Sequence, residues 1–170
     1  VYKRQVYDNG GIYLDTDVEL LKKPDFLLEN QCYIGIQQPE SLCTTGLGFG
    51  AQKSSPVVQK MMECYDSISF TDQKKSTFAC PWLNDKVIRS FGKVSNEDIT
   101  YLKEVTVYPP RFFDPLSTGN TKNLLCDETV SIHHYAATWA GNKQRWKRKL
   151  IRFLGEDRYF KLKKLFRRVQ

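Results

Sequence analysis

Gly10-Gly11-Ile12-Tyr13-Leu14-Asp15-Thr16-Asp17 is the stretch on which the fold of this chain turns. A short β-branched and aromatic run follows two glycines and ends in two carboxylates one residue apart. With Ile12–Leu14 as a strand, the side chains at i and i+2 share a face, so Asp15 and Asp17 point the same way. Two same-facing carboxylates repel each other and call for a positive partner. A hard divalent cation is the usual one, and both Mg²⁺ and Mn²⁺ suit carboxylate oxygens. The flanks support this. Tyr7-Asp8-Asn9 reads as a helix end, Gly10-Gly11 as its C-cap, and Ile12–Leu14 as an abrupt strand that delivers Asp15. The carboxyl end of a strand is where open α/β sheets place ligands. Taken alone, Asp-x-Asp is a weak signal, more often a solvated turn than a site.

Outward from this stretch the chain alternates short strands and helices. Val18–Leu21 is a strand beyond the acidic loop, Lys22-Lys23-Pro24 turns the chain, and Asp25–Glu29 is a helical turn. Cys32–Gln37 alternates as a strand. Gly46–Ala51 is glycine-rich, either a strand that a ligand approaches closely or a flexible loop. Ser55 caps a helix with Pro56 at its first position, and Val57, Val58, Met61, Met62 and Tyr65 form its apolar face. A second helix runs from Pro81 to Gly92 with Leu83, Val87, Ile88 and Phe91 inward. Val105–Tyr108 is a strand closed by Pro109-Pro110, Leu116–Asn123 is a polar loop, and Thr129–His133 is a strand that ends in a histidine pair. This mixture points to α/β or α+β architecture.

At 170 residues, 41% of them hydrophobic, the chain can bury one globular core. No run is long enough to span a bilayer, and none is a secretory apolar region. The five cysteines, Cys32, Cys43, Cys64, Cys80 and Cys126, are scattered with no C-x-x-C. That disfavours a structural zinc site and suits free, mostly buried thiols. Charge is uneven. Residues 143–170 hold 12 of the 26 Lys/Arg and 2 of the 19 Asp/Glu, a net of +10, which leaves 14 and 17, a net of −3, for residues 1–142. In that tail, Trp146, Leu150, Ile151, Phe153 and Leu154, then Tyr159, Phe160, Leu162, Leu165, Phe166 and Val169, recur at helical spacing between basic residues. Two basic amphipathic helices suit an anionic membrane surface. They equally suit packing on the domain with a solvated basic face. Val1–Gln5 reads as the translation of a transposase adaptor used in sequencing libraries. Residues 1–5 are therefore expected to be a cloning artefact, with the natural sequence starting at Val6.

The segment Tyr7-x-x-Gly10-Gly11-Ile12-Tyr13-Leu14-Asp15-Thr16-Asp17-Val18-Glu19 closely resembles the signature of sugar-transferring glycosyltransferases that carry the DxD motif. That family includes the yeast initiating α-1,6-mannosyltransferase and many bacterial capsule and lipopolysaccharide transferases. Ser131-Ile132-His133-His134-Tyr135-Ala136-Ala137-Thr138-Trp139 is similar to its closing HHxxxSW motif, with Thr138 in place of the usual Ser. Gly48-Phe49-Gly50-Ala51, with Ser55-Pro56 and the run to Tyr65, looks like its middle strand and helix. Cys80-Pro81-Trp82-Leu83-Asn84 is a loose match to its GPxxxT element, with Gly and Thr replaced. The resemblance spans roughly residues 6–141.

The resemblance implies the C-terminal part of a GT-A-type α/β domain over residues 6–142, with a basic helical extension over 143–170. A full family domain begins upstream with strands that hold the nucleotide base, so the chain is expected to be an N-terminally truncated fragment, itself a poor catalyst. The implied activity is metal-dependent, retaining transfer of a sugar from a nucleotide-diphosphate donor to a glycan or lipid-linked acceptor. The donor is a UDP-sugar ahead of a GDP-sugar, and the cofactor is Mn²⁺ or Mg²⁺. By carry-over, Asp17 is a metal ligand and Asp15 a ribose and metal partner. His134 is the expected third ligand, with His133 facing the opposite way, and Thr138 and Trp139 are expected donor-phosphate contacts. The expected place is the inner face of a bacterial plasma membrane, with no nucleic-acid partner. Two other functions were weighed. One is a haloacid-dehalogenase-type phosphatase, for which no downstream acidic pair is evident. The other is a non-enzymatic basic module binding membrane or RNA, but here the aromatics lie on an apolar helix face rather than interleaved on a binding surface.

Overall fold

The computed structural model describes residues 1–38, 40–66, 80–116, 122–136 and Arg158. The tail over 143–170, apart from Arg158, lies outside the described residues, as do Thr138 and Trp139.

Helix α1 (Tyr2–Asn9) ends at Gly10, whose φ of 74° is open to glycine and whose N–H closes onto the Val6 carbonyl at 2.8 Å. The chain reverses there into β1 (Gly11–Tyr13), as the double glycine led one to expect. After the acidic turn come β2 (Val18–Leu20), a 3₁₀ turn (Asp25–Glu29), β3 (Cys32–Gln37) and β4 (Leu42–Ala51). Helices α2 (Pro56–Glu63) and α3 (Cys80–Arg89) follow, then β5 (Thr100–Tyr101), β6 (Thr106–Tyr108), the short α4 (Pro110–Phe113) and β7 (Ser131–His133). Ser55 sits at the N-cap of α2, but its hydroxyl makes no capping hydrogen bond. Pro56, pre-set in φ, begins that helix without it.

Five strands form one mixed sheet in the order β1-β4-β3-β6-β5, in which β3 and β6 run parallel and the other neighbours antiparallel. The sheet is covered on both faces. Strand β3 shows why: Cys32, Ile34 and Ile36 point to one side, Tyr33 and Gly35 to the other. The first set joins Val6, Val57, Val58, Met61, Val87 and Ile88 under α1, α2 and α3. The second faces Leu27, Leu47, Tyr108, Phe112, Phe113 and Val130. Gly35 has no side chain because Phe113 fills its place, 2.7 Å from where a Cβ would sit. Each fully buried aliphatic or aromatic side chain contributes roughly 1.5–3 kcal/mol. This is a mixed α/β fold with a central sheet flanked by helices.

The glycine-rich segment is strand rather than loop, and it is irregular. Gly35 pairs with Thr44 and Ile34 with Phe49, so one step along β3 spans five along β4 and residues 45–48 have no β3 partner. This wide bulge lifts Gly46 and Gly48 towards the turn after β1. Residues 2–5 form the first turn of α1. The Tyr2 ring stacks on Tyr13 at 4.0 Å, and its hydroxyl meets Thr45 Oγ1 at 2.8 Å.

Candidate metal centre

β1 delivers Asp15 to the edge where β1, β3 and β6 all end. The Asp15 N–H donates to the Gly46 carbonyl (3.2 Å), and the Asp15 carbonyl accepts from Val18 N–H (3.1 Å). These two bonds close the turn that carries both carboxylates. The Tyr13 hydroxyl donates to Asp15 Oδ1 at 2.8 Å. A Cβ on Gly46 would lie 2.5 Å from Asp15 Oδ2, so the carboxylate occupies the space a side chain there would fill. The close approach that the glycine-rich strand signals is thus made by the protein's own Asp15, with Leu14 against Gly48 and Tyr33 against Gly50.

The second half of the site arrives from the far end of the chain. β7 pairs antiparallel with β2, setting Val18 opposite His133 and Leu20 opposite Ser131. The His134 N–H donates to the Asp17 carbonyl (2.9 Å), and the Ala136 N–H to Asp17 Oδ2 (2.7 Å). His133 Nε2 lies 3.3 Å from Asp17 Oδ1 and 3.6 Å from Asp15 Oδ2. Among the described residues, Asp15, Asp17 and His133 form a group whose ligand atoms all lie within 4.8 Å of one another.

The histidine expected beside the carboxylates was His134; the structure places His133 there. Alternation along β7 buries Ser131 and His133 and turns His134 outward. His134 then sits on the outer face with Glu19, a diagonal cross-strand neighbour, and its Nε2 meets Glu19 Oε2 at 2.8 Å. His133 does face the interior, as alternation requires. What the sequence did not reveal is that the 15–17 turn folds over that interior face. Asp15 and Asp17 come together not as a same-face pair on a strand but in the turn that follows β1, beside His133. Tyr13 had no site role in the sequence reading, and Gly46 had one only as space for a ligand; both shape the Asp15 carboxylate.

The electrostatics favour an ionised Asp15. The His133 imidazole 3.6 Å away, helped by the Tyr13 hydroxyl, holds Asp15 below the ordinary carboxylate range, against the opposing effect of partial burial. Tyr13 is pushed up to about 12, chiefly by burial and next by its bond to Asp15. His133 Nδ1 accepts the Tyr135 N–H at 3.3 Å. With carboxylate oxygens at 3.3 and 3.6 Å from Nε2, a neutral ring places its proton there, directed at them. At that length the Tyr135 bond is weak, so it biases the tautomer only slightly. A cation can displace the Nε2 proton and take the nitrogen as a ligand. Two carboxylate oxygens and one imidazole nitrogen, with a carboxylate already ionised, make a donor set that fits a divalent cation.

No family model, no curated protein and no solved structure matches this chain. Among the described residues, no helix is long and apolar enough to cross a membrane. The five cysteines carry free thiols. Cys32 and Cys43 are buried, whereas Cys126 is exposed.

Proposed function

We propose that this chain carries the metal centre of a GT-A-type retaining glycosyltransferase that moves a sugar from a nucleotide-diphosphate donor to a glycan or lipid-linked acceptor in surface polysaccharide synthesis. The single observation that carries this reading is the convergence of Asp15, Asp17 and His133 at the carboxyl edge of β1. The two motifs that resemble the family's first and last signatures meet there, and α/β folds place ligands at such an edge.

In this reading Asp17 and Asp15 hold Mn²⁺ or Mg²⁺ and His133 is the third protein ligand. The cation, when bound, offers Lewis-acid stabilisation of the departing diphosphate. The chain's own residues do the rest. Tyr13 and the empty side-chain space of Gly46 set the Asp15 carboxylate, and Ala136 N–H sets that of Asp17. Thr138 and Trp139, two and three residues beyond Ala136, are assigned to the donor phosphates through a hydroxyl and an indole N–H. No carboxylate of the motif is assigned as a nucleophile, and the acceptor hydroxyl loses its proton to the departing phosphate. The basic tail is assigned to the inner face of a bacterial plasma membrane, near a lipid-linked acceptor.

The test is equilibrium binding of UDP and GDP to the chain with Mn²⁺ and with excess chelator, repeated on Asp17→Asn. Mn²⁺-dependent binding of both diphosphates, lost in the variant, is the expected result, since both present the same pyrophosphate to the metal. Binding indifferent to chelator, or absent for both nucleotides in a folded protein that also ignores Mn²⁺, overturns the proposal.

A further inference from the structure

Asp114 ends α4, far from the acidic turn in sequence, and is fully buried. Its Oδ2 accepts two short hydrogen bonds, from the Gln38 N–H at 2.7 Å and from the Tyr135 hydroxyl at 2.7 Å. Its Oδ1 is buried without a hydrogen-bond partner among the described residues. Leaving a buried polar atom unpaired is destabilising, so stability alone does not explain a carboxyl group here.

Tyr135 connects this group to the site. Its φ is 50°, the left-handed region that a bulky side chain rarely adopts. Holding it there strains the backbone and needs surrounding contacts to impose it. The bond to Asp114 is such a contact. Held in this way, Tyr135 lays its ring edge-on against His133, with centroids 4.2 Å apart, and brings its N–H to His133 Nδ1. The same turn carries Ala136 N–H to Asp17 Oδ2.

We infer that Asp114 and Tyr135 are positioning residues for the metal centre. Through one hydroxyl–carboxyl hydrogen bond they hold the 134–136 turn so that His133 Nε2 and Asp17 Oδ1 face the same point. The inference rests on the proposed divalent-cation site. It adds that Asp114, the residue that ends α4 and has no hydrogen bond to any of the three ligands among the described residues, sets their geometry. The chemistry it serves is cation binding, because both side chains that the turn orients are ligands.

The experiment measures Mn²⁺ affinity of the whole chain from the EPR signal of free Mn²⁺, alongside thermal melting, for wild type, Tyr135→Phe, Asp114→Ala and Asp114→Asn. Tyr135→Phe removes one hydroxyl, and its affinity should fall about tenfold, within the range that loss of a group supporting a ligand costs. Asp114→Ala should fall at least as far. Asp114→Asn keeps an acceptor oxygen for both Gln38 and Tyr135 and should bind Mn²⁺ like wild type. A merely structural role predicts lower melting temperatures and unchanged affinity in folded protein measured well below the transitions. That result overturns the inference, and so does a folded Asn variant as weak as the Ala variant. If wild type itself ignores Mn²⁺, the metal site fails and the inference falls with it. If wild type binds while Tyr135→Phe binds equally well, the site stands and the positioning role alone is refuted.

Discussion

Replacing Gly46 with Ala tests the site at one atom. The Gly46 backbone is outside the left-handed region that restricts side chains, so alanine is allowed there on backbone grounds. The added Cβ meets Asp15 and nothing else at short range: 2.5 Å from Oδ2, 3.2 Å from Cγ and 3.6 Å from Oδ1. Ordinary contact begins near 3.4 Å, so Oδ2 must retreat by about 0.9 Å. The retreat pulls it from His133 and strains the Tyr13 bond to Oδ1. Displacing a positioned group by about 1 Å can cost on the order of 10²-fold, or about 3 kcal/mol of cation binding. The fold should hardly notice. Gly→Ala in a strand gains roughly 0.5–1 kcal/mol, and the Asp15–His133 contact is long and partly exposed. Mn²⁺ affinity by EPR should therefore fall about 10²-fold while the melting temperature by circular dichroism moves less than about 4 °C. Wild-type affinity in Gly46→Ala refutes the claim that this gap holds a ligand, and gross unfolding refutes the claim that Asp15 alone is displaced.

Three further outcomes are expected. His133→Ala should weaken Mn²⁺ binding about tenfold or more, whereas His134→Ala should leave it nearly unchanged, since His134 pairs with Glu19 on an exposed face where such a pair contributes about 1 kcal/mol at most; the reverse ranking restores His134 as the ligand. Burial pushes Asp114 up to about 7, partly opposed by its bonds from Tyr135 and Gln38. Between the ordinary value near 4 and about 7 the folded protein keeps a proton that the unfolded chain has released, so this group's contribution to stability falls as pH rises through that window. Urea midpoints should show Asp114→Asn gaining on wild type from about pH 4 to about pH 7, and parallel profiles would remove Asp114 as the cause. Full-length chain should co-sediment with anionic vesicles at low salt and be released by high salt, and truncation after Gly141 should abolish this. Equal binding to neutral vesicles, or to none, favours a tail that packs on the domain.

Local chemistry made much of this protein legible from sequence. A double glycine after a helical stretch forces a reversal, so the junction at Gly10, the strand behind it and the delivery of Asp15 and Asp17 could all be read from neighbouring residues. Cys32–Gln37 came out as a strand, and it is buried along nearly its whole length because both faces of the sheet are covered. Pro56 began its helix as expected, although the hydroxyl of Ser55 takes no part. Other features depend on which distant segments meet. His133 and His134 are adjacent and chemically identical in sequence, and alternation says only that they face opposite ways. The pairing of β2 with β7 and the fold of the 15–17 turn over the buried face decided that His133 meets the carboxylates. Gly46 looked like space for a ligand because nothing local shows that a bulge in β4 aims it at Asp15. Asp114 gave no signal at all, since a lone acid after a short helix gains its meaning only from Gln38 and Tyr135, brought to it by long-range contacts. Short-range steric and periodic rules determined the elements, and the pairing of segments distant along the chain decided the site.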